Sequence, residues 1–384
     1  MLRKRAKHGP IGLDIGASSV KLLQLADEGG RPALLAAAHC EVQGPSHDYD
    51  DHAEAIARAI REALGAHDFR GRDVVAALSS REFQLKSIRL PKMPAEELSS
   101  AVQFEAQDRF DFGPEAGQLR FIPAGEVRHG NEIKEEIIVF AARNEVLSSR
   151  LEMLKALKLR PLAIDIAPCA MTRGFARFLR RVEDADAVNV FLDVGWRGTS
   201  IVIARGTNVA FLKVVDVGGE HFTAAVSKAL ALPDHQATDL RISIMRETNV
   251  ARGDAGAKVP EELRIRAADA VRPLVERISR DVQLCLRYFA VTFRGQRPDS
   301  LTFVGGEAHE PMLSKLIGEA IDIPCTIGHP LRGIAGIAKM PTVDRRTLQP
   351  CWAVAGGLAL RSSPWVQATG AGPASPSRQV AGVA

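Results

Sequence analysis

The chain has 384 residues, of which 46% are hydrophobic and 25% charged. That length and balance exclude a disordered chain and a small disulfide-stapled module, and leave room for two or more domains around a large core. Net charge is +4, and Arg3, Lys4, Arg5 and Lys7 account for all of it. The body of the chain is therefore neutral and lacks the basic face of a nucleic-acid-binding protein. The basic arm reads either as a frayed, solvated terminus or as a weak attraction to an anionic membrane surface. Cys40, Cys169, Cys285, Cys325 and Cys351 are odd in number, far apart and without a Cys-x-x-Cys pair. They imply neither a disulfide framework nor a zinc site, and point to a reducing compartment. The start shows no signal-peptide pattern, and no apolar run reaches the ~18 residues of a membrane span.

In chain order, residues 1–9 read as a disordered arm. Strands are predicted at 10–15, 19–26 and 33–42, with Glu28-Gly29-Gly30-Arg31-Pro32 as a turn. A helix follows from Asp50 to Gly65, with Ile56, Ile60 and Leu64 on one stripe, then a buried strand from Val74 to Leu78. Segment 81–165 has its own order. An alternating strand at Phe83–Leu90 precedes a helix starting near Ala95, with Glu96 and Glu97 in its first turn. Strands at Arg120–Val127 and Glu136–Ala142 come next, then a helix over 145–158 capped by Asn144, and a strand over 161–166. The sum, β-α-β-β-α-β, is the order of a ferredoxin-like module. Residues 188–235 read as strands and a helix, and 236–299 as mainly helical. Pro273 is expected to kink or restart the helix within Glu261–Phe289. Arg252–Ala257 reads as a loop, and Leu301–Val304 as a strand running into Gly305-Gly306 and then a helix from Glu310 to Ala320. The tail 362–384, rich in Ala, Gly, Pro and Ser, reads as disordered.

One turn occurs twice. Leu13-Asp14-Ile15-Gly16 returns as Leu192-Asp193-Val194-Gly195, each time between apolar runs, so each copy reads as a β-hairpin with a carboxylate at its mouth. The glycine lets backbone N–H groups approach an anion, and Asp14 and Asp193 could hold Mg²⁺ through water. Two such hairpins facing each other would clamp a nucleotide polyphosphate. The candidates are Gly16, Ser18, Ser19 and Lys21 from the first hairpin, and Gly195 and Thr199 from the second. Lys21 reads either as a phosphate-neutralising cation or as a solvated strand lysine. Gly218, Gly219 and Thr223 open a helix whose N-terminus could face phosphates or ribose. Gly305 and Gly306 would let backbone lie against adenine or ribose. Asp165, just before the helix near Pro168, reads either as a water-positioning catalytic group or as a helix-entry cap. The second hairpin is expected to be two residues longer than the first, with Trp196 and Arg197 in its turn.

Gly12-Leu13-Asp14-Ile15-Gly16-Ala17-Ser18-Ser19-Val20-Lys21 resembles the first phosphate motif of the actin-like ATPase superfamily. Leu192 through Ile203 resembles its second, Val217 through Thr223 the Gly-Gly turn and Thr that follow, Phe303 through Gly306 the adenosine motif, and Ala355 through Arg361 the closing helix. Within the superfamily, Leu90–Leu98 and Val102–Gln107 make the chain most similar to the PilM family of type IV pilus assembly proteins. The resemblance implies an α/β, actin-like (RNase H-like) duplicated fold with the ferredoxin-like module inserted at 81–165 as an interaction module. The first half would comprise 10–80, 166–187 and 331–361. The second would comprise 188–235 and 300–330, with 236–299 as its helical subdomain.

It also implies ATP and Mg²⁺ as cofactors, and a cytoplasmic scaffold held at the inner membrane by a partner. That partner would be a PilN-like protein whose short cytoplasmic N-terminal segment docks beside the helix at 95–108. One stretch departs from the family: Ala-Glu-x-x-Lys is replaced by Ala237-Thr238-Asp239-Leu240-Arg241. The departure implies weakened nucleotide binding and slow or absent hydrolysis. Two other classes stay open: a small-molecule kinase on the same fold, and an FtsA-type filament or cell-division scaffold. The tail's lack of an amphipathic pattern argues against the latter. GspL, a further relative, continues into a membrane span not seen here.

Overall fold

Three strands lead the chain: β1 (His8–Ile15), β2 (Ser19–Glu28) and β3 (Arg31–Glu41). The computed structural model describes residues 8–42, 49–129, 132–249, 258–293, 296–337, 340, 349–361 and 363. β1 pairs antiparallel with β2, and β2 with β3, so their near-continuous apolar runs form a buried meander. After α1 (Tyr49–Ala66), β4 (Asp73–Leu78) and later β8 (Arg160–Ile166) add parallel to β1, giving the order β3-β2-β1-β4-β8. The second half repeats that plan. β9 (Val188–Val194), β10 (Thr199–Arg205), β11 (Asn208–Val215), β12 (Ser300–Val304) and β13 (Cys325–Ile327) take the order β11-β10-β9-β12-β13. The duplication seen as a repeated turn is thus a duplication of a whole five-stranded sheet.

Two helices rich in small residues join the halves. α4 (Ala167–Ala176) and α9 (Ala353–Ala359) cross so closely that a Cβ on Gly357 would overlap the Ala170 carbonyl oxygen. A Cβ on Gly12 would in turn meet the backbone of Ala355 and Ala359, so α9 lies directly on β1. Asp165, the penultimate residue of β8, pins the same crossing through Arg173 at 2.8 Å and Arg361 at 2.5 Å.

The second half carries α5 (Gly219–Leu230), α6 (Asp234–Asn249), α7 (Glu261–Thr292) and α8 (Pro311–Ala320). α7 is one continuous helix through Pro273, so of the two outcomes expected there a new helix does not begin. Its buried stripe explains this: Ala267 and Val271 precede the proline, and Val275, Ile278, Val282, Cys285 and Phe289 follow on the same face. Among the described residues, no helix is long and apolar enough to cross a membrane.

Segment 81–165 folds in the expected element order: β5 (Gln84–Pro91), α2 (Ala95–Ala106), β6 (Gly117–His129), β7 (Glu132–Arg143), α3 (Asn144–Ala156), then β8. Its sheet, however, has three strands, β5-β7-β6, because β8 belongs to the first core sheet beside β4. The alternation of β7 shows why the small sheet is stable with three. Ile137 and Val139 face Ile88, Leu90 and the Leu98, Val102 and Ala106 stripe of α2. Ile138, Phe140 and Ala142 face the large core of the second half, where β6 packs on β11. Asn144 is not the cap of α3. It lies in the first turn, and its amide donates to the Glu115 carbonyl at 2.9 Å.

His8 and Gly9, expected in a disordered arm, begin β1. The rest of that arm, the loop Arg252–Ala257 and nearly all of the tail 362–384 lie outside the described residues.

Candidate functional site: the cleft between the repeated hairpins

The two hairpins are built alike. Gly16 N–H donates to the Ser19 carbonyl at 2.9 Å, and Gly195 N–H to the Gly198 carbonyl at 2.9 Å. Ile15 pairs with Val20, and Val194 with Thr199, so both loops hold four residues and the second is not longer. This register decides which side chains share the mouth of each turn. Asp14 stands opposite Lys21, and Asp193 opposite Ser200. Thr199 is one residue out of phase: it is wholly buried and donates from Oγ1 to the Val217 carbonyl at 2.7 Å.

Between the hairpins lies a cavity of about 450 Å³. Its walls include Asp14, Gly16, Ser18, Ser19 and Lys21 from one side, and Asp193, Gly195 and Ser200 from the other. Lys21 Nζ donates to Ser19 Oγ at 3.0 Å and lies 3.8 Å from an Asp14 oxygen. Gly305 and Gly306, after β12, complete the wall. Gly305 holds φ +92°, and a Cβ there would overlap the Val194 carbonyl and the Asp193 carboxylate. Gly306 has open space where a Cβ would stand, so its backbone faces the cavity bare.

Two carboxylates confront each other here, with Lys21, Arg81, Arg150 and Arg197 also on the wall. Burial pushes the Asp193 carboxyl up to about 6, with the Asp14 charge adding to the rise and Lys21 opposing it. Burial likewise raises Asp14, against the pull of Lys21 and Arg150. A divalent cation with its water shell would relieve that repulsion, which is how Mg²⁺ binds beside one or two carboxylates and phosphate.

Gly218, Gly219 and Thr223 are not on the cavity wall. The first donors of α5 are already used: Gly219 N–H reaches the Gly195 carbonyl at 3.0 Å, and Glu220 N–H the Trp196 carbonyl at 2.8 Å. Arg241 fills the space beyond. It is 2% exposed, and its guanidinium donates to the Gly219 carbonyl, to Thr223 Oγ1 at 3.1 Å, to Glu307 at 2.5 Å and to Glu310 at 3.3 Å. Thr238 turns to the Asp234 carbonyl instead. Asp165 does not line the cavity either. Its carboxylate is spent on Arg173, Arg361 and the Ile166 N–H, so it is a bolt between α4 and α9 and not a group free to orient water.

Sequence reasoning missed Ser200, Arg81, Glu82, Arg150 and Glu307 on the wall. Aligning Gly16 with Gly195, and then counting from each Asp to its partner on the returning strand, finds Ser200. The others come from segments with no motif of their own.

This geometry accompanies likenesses that span nearly the whole chain. The family model described as the type IV pilus assembly protein PilM matches residues 12–363. The chain belongs to that family. A solved structure described as the PilM-PilN type IV pilus biogenesis complex is 28% identical, with TM-score 0.75, covering 92% of this chain and 98% of that one. The ethanolamine utilization protein EutJ from Carboxydothermus hydrogenoformans shares the fold at 12% identity and TM-score 0.51, over 93% of this chain and 90% of its own. Of the three classes drawn from the sequence, the family match selects pilus assembly over a kinase or a filament scaffold.

Proposed function

We propose that this chain is a nucleotide-binding scaffold of type IV pilus assembly, holding a Mg²⁺-nucleotide between its two hairpins. In the same reading it engages the cytoplasmic N-terminal segment of a PilN-like inner-membrane protein, which brings it to the membrane. The observation that carries the nucleotide part is the cavity where Asp14, Asp193 and Lys21 converge, of a size suited to a small ligand. Gly16, Ser18, Ser19, Gly195, Gly305 and Gly306 share its wall, and ATP is the ligand we assign. The partner part is supported by the likeness to the PilM-PilN complex over nearly the whole of both chains.

Chemically, the site binds and neutralises charge. Asp14 and Asp193 would hold the cation, and Lys21 would balance phosphate charge. A bound cation would supply electrostatic stabilisation of the phosphates. Asp165, the residue the sequence offers for orienting water, is spent on its arginines, and on that ground we expect hydrolysis to be slow or absent. The test is calorimetric titration of the full chain with ATP and Mg²⁺, together with capture of the tagged chain from gently solubilised host membranes. Saturable ATP binding and co-capture of a small single-span protein with a short cytoplasmic N-terminus are expected. No heat on titration sinks the nucleotide part, and recovery without any membrane partner sinks the scaffold part.

A further inference from the structure

The inserted module reaches into the cleft. One face of α3, Val146, Ser149, Arg150 and Met153, recurs at helical spacing and lines the cavity wall. Arg150 is 9% exposed, so its guanidinium is held among protein groups and not in bulk water. One arm donates to Glu82 at 2.5 Å, and another lies 3.4 Å from the Ala77 carbonyl at the end of β4. Glu82 is itself fixed: it accepts from both Ser79 N–H and Ser79 Oγ at 2.8 Å. It too is on the cavity wall.

The position of this pair in the chain matters more than its strength. Glu82 stands two residues before β5, where the chain leaves the core for the module. Arg150 stands on the helix by which the chain returns, and α3 follows β7 with no loop, Arg143 running straight into Asn144. β7 is the central strand of the module's sheet. At its other end α3 is seated in the first-half core through Leu154, with Leu157 just beyond. A displacement of α3 at the cavity therefore has no slack to take it up before it reaches the module.

A guanidinium has five donors, and this one spends two on Glu82 and Ala77, which leaves donors for a phosphate. Resting on the nucleotide reading above, we infer that Arg150 binds the terminal phosphate of a nucleoside triphosphate and carries its presence through α3 to the inserted module. The module then differs between triphosphate-bound and diphosphate-bound chain, so its partner surface is read out by nucleotide state.

The experiment uses the full chain and two probes, ATP and ADP with Mg²⁺, each titrated calorimetrically, with hydrogen–deuterium exchange on α3 and β7. The wild-type chain should bind both, and ATP should protect 132–156 more than ADP does. Arg150→Gln should weaken ATP binding about tenfold or more, leave ADP within about twofold, and abolish the extra protection. Arg150→Lys should recover part of the ATP preference. Equal loss of both nucleotides, or of neither, overturns the inference while leaving the nucleotide reading intact. A wild-type chain that binds neither nucleotide overturns the nucleotide reading and the inference with it. If Arg150→Gln does not fold, Glu82→Gln gives the answer from the other side: ATP preference should rise about threefold as Arg150 is freed, and an unchanged preference overturns the inference.

Discussion

The two hairpins share a loop length, a closing hydrogen bond and a cross-strand position for their Asp, yet they serve different ends. Opposite Asp14 the chain places a cation, Lys21, whose charge reaches the cavity. Opposite Asp193 it places Ser200, and the second half buries a cation deeper. That cation is Arg241, sealed with Glu307 and Glu310 behind α5. Facing its Asp, the first half thus leaves a charge available to a ligand, while the second spends Arg241 on internal structure and reaches the cavity wall through Arg197 of its turn. A repeated motif fixes the backbone, and the side chains that answer the Asp decide whether the copy binds or braces.

The largest effect should come from unsealing the brace. Arg241→Ala leaves Glu307 and Glu310 buried near each other without their cation, where burial already raises the Glu310 carboxyl. A loss of about 3–5 kcal/mol is expected in chemical denaturation. Lys21→Gln, which removes the cavity-side cation, should cost less stability and should instead weaken nucleotide binding. A similar stability loss in both variants would erase the contrast drawn between the halves.

The second prediction sharpens the carboxylate side. Asp193 ionises only above about pH 6 in the folded chain, against the ordinary value of 3.8. Between those values the folded state holds the extra proton, so this group makes stability fall as pH rises from about 4 to about 6. Asp193→Asn removes the penalty. The variant should match wild type near pH 4, gain through that window, and stay more stable by about 2 kcal/mol at pH 7. His39, paired with Lys21 across β2 and β3 and lowered to about 4, acts with the opposite sign: it withdraws stability as pH falls from 6.5 toward 4. His39 is common to both proteins, so the difference between their melting curves isolates Asp193. A pH-independent difference would mean that the carboxyl is not driven up by its surroundings.

Much of this was legible beforehand. Apolar runs with turn residues between them place β1 to β3, and the repeated Leu-Asp-x-Gly marks the two halves because strand, turn and glycine are local requirements. The element order of the module was also local, whereas the sheet to which β8 belongs was not. That strand's pairing with β4 is a long-range choice, made by where Val75, Ala76 and Ala77 can be covered. The same limit applies to Asp165 and Arg241. Each reads as a polar residue near a motif, and only tertiary packing shows a carboxylate spent on two arginines and a guanidinium spent on two glutamates. Arg150 had no sequence signal at all, since a helical arginine four residues from an apolar position is ordinarily a surface residue.

The smallest expected effect is also the cleanest test of register, because adjacent hydroxyls on one strand should answer to different assays. Thr199 and Ser200 point to opposite faces of β10. Thr199 is wholly buried and its hydroxyl holds the Val217 carbonyl, which precedes the Gly218-Gly219 turn. Thr199→Val keeps the shape, removes that donor and leaves the carbonyl short of a partner, so about 1 kcal/mol of stability should be lost with nucleotide affinity unchanged. Ser200 lies on the cavity wall opposite Asp193. Ser200→Ala should leave the melting temperature where it was and lower nucleotide affinity about threefold, the weight of one solvent-accessible hydrogen bond. If the two variants exchange these outcomes, the second hairpin is out of register by one residue, and Thr199, not Ser200, faces the ligand.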